Sequence, residues 1–131
     1  MNQLFFDIGS NSIFDLKIGA VCSIKNIQLG SDRKGFNLYF SEKKLLGFFI
    51  CFCDGYRGFN SFSGDILWMG ERKKIDKNTT DKQLEVIYKS LPIKDWNDGV
   101  ERNLEFSVNG VNHEYNWNSL TGELNYLLCE I

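Results

Sequence analysis

The single histidine of this chain, His113, is the first candidate for chemistry. General acid–base catalysis near neutral pH, metal ligation and pH sensing would all have to use it. The Asn109-Gly110 pair before it is the strongest short signal for a hairpin turn, and that turn places His113 opposite Phe106 on an apolar face. We therefore expect a packing role for His113 and no catalytic residue. The alternative is a small-ligand-binding domain or a small enzyme that uses His113 with a cysteine or a carboxylate.

The four cysteines lack the spacing of a metal site. Cys51 and Cys53 share a predicted strand with several phenylalanines, whereas Cys22 and Cys129 are distant in sequence. A structural zinc site needs four ligands, commonly a C-x2-C pair together with a second pair. The cysteines are therefore predicted to be reduced and buried, as small hydrophobic side chains. The sequence predicts neither a metal nor a cofactor.

The predicted hairpin from 103 to 117 has a register that its turn determines. The pairs on the apolar face are Val108–Val111, Phe106–His113 and Leu104–Tyr115. The pairs on the other face are Ser107–Asn112, Asn103–Asn116 and Glu105–Glu114. Two carboxylates directly opposite each other destabilise a hairpin by roughly a few tenths of a kcal/mol. Because we expect no structural benefit from this pair, it indicates a function.

Acidic side chains are concentrated around this hairpin, with Glu101 on its first strand and Glu123 in the turn that follows it. Solubility alone explains a polar outer face of an antiparallel sheet. An acidic patch also matches a basic partner, because complementary charge raises the association rate and enforces specificity. The predicted partner-binding patch consists of Glu101, Glu105, Glu114 and Glu123.

The stretch from 54 to 65 is the longest predicted loop and has no hydrophobic period. It lacks the pattern of a phosphate-binding loop and does not lie between a strand and a helix. Its aromatic side chains either fold back over the core or are presented to a partner. Tyrosine and arginine are enriched among residues that dominate binding energies. The loop is therefore a second predicted binding surface, through Tyr56, Arg57 and Phe59.

One helix is predicted from Asp81 to Leu91. Thr80 is a good N-cap, and Gln83 completes a capping box in which each side chain satisfies a free backbone donor of the other residue. The predicted buried stripe consists of Leu84, Ile87, Tyr88 and Leu91. Pro92 is expected to end the helix, since proline disfavours an α conformation in the residue before it.

The remaining apolar segments have the pattern of strands, at 4–8, 13–18, 36–40, 45–53, 66–69 and 124–131. A four-residue loop is predicted to join 36–40 to 45–53, and the second of these strands is apolar on both faces, as a central strand is. Residues 20–29 are predicted as a strand or a second short helix. The charged cluster 71–74 is predicted as a solvated loop and 96–99 as a turn. The expected fold is one α+β domain over 1–131, mainly antiparallel sheet with one or two helices packed on one face.

The composition excludes several classes of function. The 15 basic residues stand against 17 acidic ones, whereas a nucleic-acid-binding domain has a clustered basic surplus. The longest apolar run, 45–53, is far shorter than the roughly 20 residues of a membrane span. The first residues lack the basic region of a secretory signal. We therefore expect a cytoplasmic protein that binds neither nucleic acid nor a membrane.

The segment from Thr79 to Ile131 carries a resemblance to a known class, through the helix TTDKQLEVIYKSL and the hairpin NLEFSVNGVNHEYNWNS. In a small chain without catalytic motifs, this order of helix, hairpin and strand resembles the immunity proteins of bacterial toxin–immunity systems, such as contact-dependent growth inhibition. The resemblance implies a non-catalytic protein that neutralises a cognate toxin domain by direct binding. The acidic patch predicts a basic partner, for which a nuclease domain is one candidate, and the oligomeric state stays open.

Overall fold

The computed structural model describes residues 5–21 and 31–131. In these ranges the chain forms short strands and one helix. In chain order they are β1 (Phe5–Asp7), β2 (Ser12–Ile13), β3 (Leu16–Lys17), β4 (Phe36–Ser41), β5 (Lys44–Cys51), β6 (Asp65–Trp68), β7 (Glu71–Lys73), α1 (Asp81–Tyr88), β8 (Lys94–Asn97), β9 (Glu101–Val108), β10 (Val111–Asn118) and β11 (Leu124–Glu130).

The strands form two sheets. The main sheet has six antiparallel strands in the order β4-β5-β11-β10-β9-β8. The small sheet has five strands in the order β3-β2-β1-β6-β7, and it is mixed because β1 and β6 run parallel. The predicted α+β class with mainly antiparallel sheet is confirmed. The central position of β5, expected from its two apolar faces, is confirmed as well.

The hairpin of β9 and β10 has the predicted register at every pair, from Val108–Val111 to Asn103–Asn116. Asn109 and Gly110 both have positive φ angles, of 49° and 80°. A type I′ turn requires this conformation at both central residues, and its twist matches that of the flanking strands. Local turn chemistry therefore determines which hairpin side chains share a face.

The main core lies between one face of the main sheet and a layer made by the small sheet and α1. We call this the inner face, and its central row is Phe48, Cys129, His113 and Phe106. Phe6 of β1 contacts Phe48 with ring centroids 4.7 Å apart. Tyr88 of α1 stacks on Phe106 at 4.2 Å. The buried hydrophobic residues of the inner face, the small sheet and α1 thus form one continuous cluster.

Helix α1 begins as predicted but ends earlier. Thr80 Oγ1 accepts from the Gln83 backbone N–H, and Gln83 Oε1 accepts from the Thr80 N–H, so the capping box is confirmed. The helix stops at Tyr88 because Lys89 adopts a left-handed conformation with φ 54°. The predicted end at Leu91 and the role of Pro92 are therefore wrong, and Leu91 is 76% exposed.

Several shorter predictions need correction. The hairpin of β4 and β5 turns on two residues, Glu42 and Lys43, which both have positive φ, and not on a four-residue loop. The predicted strand 13–18 is split into β2 and β3 by a turn at Phe14, where φ is 53°. The cluster predicted as a loop forms β7, paired with β6. The turn predicted at 96–99 begins only after β8.

The predicted second helix at 20–29 lies almost entirely outside the described residues. Ala20 is in a turn, and Val21 makes an isolated bridge to Lys44.

Candidate protein-binding surface

The other face of the main sheet, which we call the outer face, carries its side chains in two neighbouring rows. The first row is Asn37, Phe49, Leu128, Glu114, Glu105 and Lys94. The second row is Cys51, Tyr126, Asn116, Asn103 and Trp96. Both rows change from apolar or aromatic on β5 and β11 to mostly polar on β10 and β9. The acidic hairpin therefore lies beside the strands that the 54–65 loop covers.

The facing carboxylates of Glu105 and Glu114 both have structural partners. Glu105 Oε1 accepts from Asn112 Nδ2 at 2.8 Å, and its Oε2 lies 3.6 Å from the ammonium of Lys94. Glu114 Oε2 accepts from the Tyr126 hydroxyl at 2.6 Å. These contacts offset the repulsion within the pair, which the hairpin register alone could not reveal. The expectation that the pair has no structural benefit is therefore wrong.

Tyr126 connects the acidic hairpin to the loop. Its ring lies 5.2 Å from Phe49 and 5.7 Å from Tyr56, between centroids. Burial raises the pKa of Tyr126, and the negative charge of Glu114 raises it further. The hydroxyl is therefore a stable donor to Glu114 near neutral pH. One side chain thus joins the two surfaces that were predicted separately.

The loop folds back over the outer face and forms a second, smaller hydrophobic cluster. We call it the loop cluster, and it consists of Phe49, Cys51, Tyr126, Tyr56, Phe59 and Leu128. Phe59 lies 5.0 Å from Phe49 between ring centroids. Asp54 accepts from the Ser61 N–H at 2.7 Å, and the Asn60 N–H donates to the Asp32 carbonyl at 2.9 Å. The loop is therefore held at its start and at its end.

Arg57 is at the exposed tip of this loop. Its φ and ψ of 50° and 30° are left-handed, a conformation that costs a non-glycine residue roughly 1–2 kcal/mol. Its guanidinium carbon lies 5.3 Å from the Tyr56 ring centroid and 5.4 Å from that of Tyr126. Cation–π contacts of this kind hold the side chain in place. Arg57 is thus ordered, strained and accessible at once.

The structure brings most of the predicted binding residues together and leaves one apart. Glu101 lies on the outer face of β9, and its charge helps to raise the pKa of Tyr56, although burial is the main cause. Phe59 is half-buried and supports the loop. Glu123 lies away from both rows, in a cavity of about 260 Å³, where it is 3.8 Å from Lys77.

Trp96 is the residue of this face that the sequence analysis missed. It pairs with Asn103 at the end of the second row and is 45% exposed. Beside it, Asn116 donates to Asn103 at 2.6 Å and accepts from Asn125 at 2.9 Å, which orders the polar part of the row. No local signal marks it, because all four side chains of β8 are exposed and the strand has no apolar alternation.

The core position predicted for His113 is confirmed, and both of its ring nitrogens are engaged. Asn11 Nδ2 donates to the Val108 carbonyl at 2.9 Å, so Asn11 Oδ1 is the acceptor 2.6 Å from His113 Nε2. His113 therefore carries its proton on Nε2, and Nδ1 accepts from the Tyr88 hydroxyl at 2.6 Å. The Tyr88 oxygen in turn accepts from Tyr115 at 2.7 Å.

These four side chains form a buried polar network, which consists of Asn11, His113, Tyr88 and Tyr115. Burial lowers the pKa of His113 to about 3, so the ring is neutral at physiological pH. The network joins the start of the small sheet, α1 and the main sheet. Its groups are occupied with one another, which is the arrangement of a structural network.

The described cysteines are free thiols. Cys51 and Cys129 are buried as predicted, whereas Cys53 is only half-buried, and Cys22 lies outside the described residues. Burial raises the pKa of all three described thiols, so they are poor nucleophiles near neutral pH. Over residues 5–21 and 31–131, no three His, Cys, Asp or Glu side chains are grouped as metal ligands would be.

Comparisons with known proteins add no assignment. No protein-family model matches this chain, and neither a curated protein nor a solved structure matches it. Within the described part of the chain, no helix has the length and apolar character needed to cross a membrane.

Proposed function

We propose that this protein is an immunity protein that neutralises a cognate bacterial toxin domain by direct, non-catalytic binding through its outer face. The observation that supports this most is Arg57, a strained and exposed arginine held over two tyrosine rings. Strained backbone at an exposed position motivates a hypothesis of function. Arginine and tyrosine are also the residue types that most often anchor protein interfaces.

The conformation of Arg57 favours recognition over stability. The loop tip keeps this conformation at Arg57 despite its cost to a non-glycine residue, between Gly55 and Gly58, whose φ angles of 84° and 81° are also positive. The Arg57 side chain lies over the packed rings of Tyr56 and Tyr126, so little side-chain entropy is lost when a partner binds. A partner would therefore meet an anchor that is already in place.

The acidic residues beside this anchor fit a basic partner. Glu101 and Glu105 are half-buried on β9, and Glu114 is half-buried on β10. The pair between Glu105 and the exposed Lys94 contributes at most about 1 kcal/mol, so a basic side chain of a partner can replace it. The proposed surface consists of Tyr56, Arg57, Trp96, Glu101, Glu105 and Glu114, with Phe59 as its support.

The proposal includes a basic toxin domain, such as a nuclease, as the partner. It also includes a cytoplasmic location and no binding to nucleic acid or membranes. The alternative chemistry of His113 with a cysteine or carboxylate would require the ring to leave its partners Tyr88 and Asn11.

Growth rescue tests the proposed function. The product of the gene directly upstream, which the proposal predicts to be the toxin, is expressed in bacteria with and without this protein, and growth is measured. We expect rescue by the wild type and at least about tenfold weaker binding for Arg57→Ala, the size of a typical anchor residue. The matched control is Arg33→Ala, which removes an exposed arginine from another turn. Absence of toxicity from the neighbouring gene, absence of rescue, or equal losses in both variants would contradict the proposal.

A further inference from the structure

A cleft between β7 and α1 has features that the outer face does not explain. Its volume is about 390 Å³, within the range of small-molecule sites. It is lined by Arg72, Lys73, Lys74, Asp76, Asn78, Thr79, Gln83, Val86 and Ile87. Because α1 packs on the inner face of the main sheet, this cleft is separate from the proposed toxin-binding surface.

The cleft has a basic wall formed by Arg72, Lys73 and Lys74. Arg72 pairs with Asp65 at 3.2 Å, and Lys73 pairs with Glu71 at 3.2 Å. In each pair one side chain is more than 70% exposed, and exposed pairs contribute little to stability. Both cations can therefore turn to a bound anion at small cost. Lys74 makes no ion pair with any described residue.

Two amide side chains add neutral donors to the cleft. Gln83 Oε1 is occupied by the Thr80 N–H at 2.9 Å, so its Nε2 group is the remaining donor. Asn78 also lines the cleft. The one carboxylate of the lining, Asp76, accepts from the Asn78 backbone N–H at 2.8 Å. The lining therefore holds more positive than negative charge, together with amide donors.

The opposite wall is apolar. Val86 lies in the middle of α1 but is 75% exposed, and Ile87 beside it is half-buried against the core. A cleft with a basic wall and an apolar wall complements a ligand that has an anionic group and a hydrophobic body.

We propose that this cleft binds a small organic anion, with its phosphate or carboxylate group at Lys74 and Arg72 and its apolar body on Val86. The inference is independent of the proposed immunity function, because it concerns a different surface and a different class of ligand. Phosphate is favoured over carboxylate as a probe, since it offers more acceptor oxygens to the donors of the cleft.

Titration of ¹⁵N-labelled protein with phenyl phosphate, inorganic phosphate and benzyl alcohol tests the proposal. We expect saturable shifts at the side-chain amides of Asn78 and Gln83 with phenyl phosphate. Inorganic phosphate should bind more weakly because it has no apolar body, and benzyl alcohol should not bind. If phenyl phosphate gives no saturable shift up to about 10 mM, the proposal is wrong. Equal affinity for phenyl phosphate and inorganic phosphate would overturn the role of the apolar wall.

Three variants locate the site. Lys74→Gln should weaken phenyl phosphate binding about tenfold, the usual effect of losing one charge-assisted hydrogen bond. Val86→Asn should weaken phenyl phosphate but leave inorganic phosphate unchanged. Lys82 lies on α1 but does not line the cleft, so the variant Lys82→Gln should bind phenyl phosphate as the wild type does. If Lys74→Gln and Lys82→Gln reduce the affinity for phenyl phosphate equally, the anion responds only to the net charge of the protein. The proposed site would then be rejected.

Discussion

The two faces of the main sheet use polar side chains for different purposes. On the inner face, His113 and its network are buried, fully paired and closed to solvent. On the outer face, Glu105 and Glu114 are paired as well, but they are only partly buried, and Arg57 on the same face is exposed. A well-ordered set of polar side chains is therefore not enough to identify a binding site. A site needs order together with access, and only the outer face has both.

The largest difference in stability between the two faces is expected when one tyrosine hydroxyl is removed from each. Tyr88→Phe leaves His113 Nδ1 and the Tyr115 hydroxyl without partners in the core, so we expect a loss of about 3 kcal/mol in the free energy of unfolding. Tyr126→Phe removes a hydrogen bond only from Glu114, which water can reach. The free energy of unfolding should therefore fall by about 1 kcal/mol. Urea unfolding monitored by circular dichroism gives both values. Equal losses would show that the faces do not differ in this way.

The second prediction concerns pH. The pKa of His113 is about 3 in the folded protein and near 6.5 when unfolded, so the unfolded state binds the proton first as pH falls. The contribution of neutral His113 to the free energy of unfolding is therefore fully present above pH 6.5. Below that pH the free energy of unfolding should fall by about 1.4 kcal/mol per pH unit, which amounts to about 2 kcal/mol at pH 5. Urea unfolding at pH 7, 6 and 5 measures this slope.

The variant His113→Gln is the control for that slope. It should be less stable at pH 7 and lose most of the pH dependence between 7 and 5, because glutamine does not titrate. Neutralisation of the toxin should persist at temperatures where the variant is folded. Complete loss of neutralisation in a folded variant would instead favour the ligand or enzyme alternative.

The smallest effect on stability is expected on the outer face. Glu105→Gln with Glu114→Gln removes a repulsion and a weak pair with Lys94, while each glutamine keeps an amide oxygen that accepts from Asn112 or from Tyr126. The free energy of unfolding should therefore change by less than about 0.5 kcal/mol. Association with the toxin should slow about threefold to tenfold and depend less on salt.

The control for this variant changes net charge by the same amount elsewhere. Glu42→Gln with Glu71→Gln neutralises two exposed carboxylates that lie off the outer face. If both double variants slow association equally, the effect comes from net charge, and the acidic rows are not the docking surface.

Local chemistry explains which parts of this fold could be predicted. The register of β9 and β10 was accessible because two residues, Asn109 and Gly110, determine it. The start of α1 was accessible because its capping box is local. The end of α1 was not, since Lys89 takes a left-handed conformation that the sequence normally signals with glycine.

The rest depended on contacts between distant segments. Strand β8 was missed because all its side chains are exposed, so an edge strand of this kind has no apolar alternation. The candidate residues other than Trp96 were predicted, but as two separate surfaces. The two surfaces are joined by Tyr126, which lies on β11 between Glu114 and the loop. No local sequence pattern predicts these contacts.

The separation of the loop cluster from the main core has a consequence for divergence. Tyr56 and Arg57 contact Tyr126 and not the continuous core that joins the two sheets. Effects of substitutions at distant sites on stability are usually additive, so a change at this tip is not amplified by changes in the core. Descendants of this protein can therefore acquire a new partner at the tip while the framework that folds them stays intact.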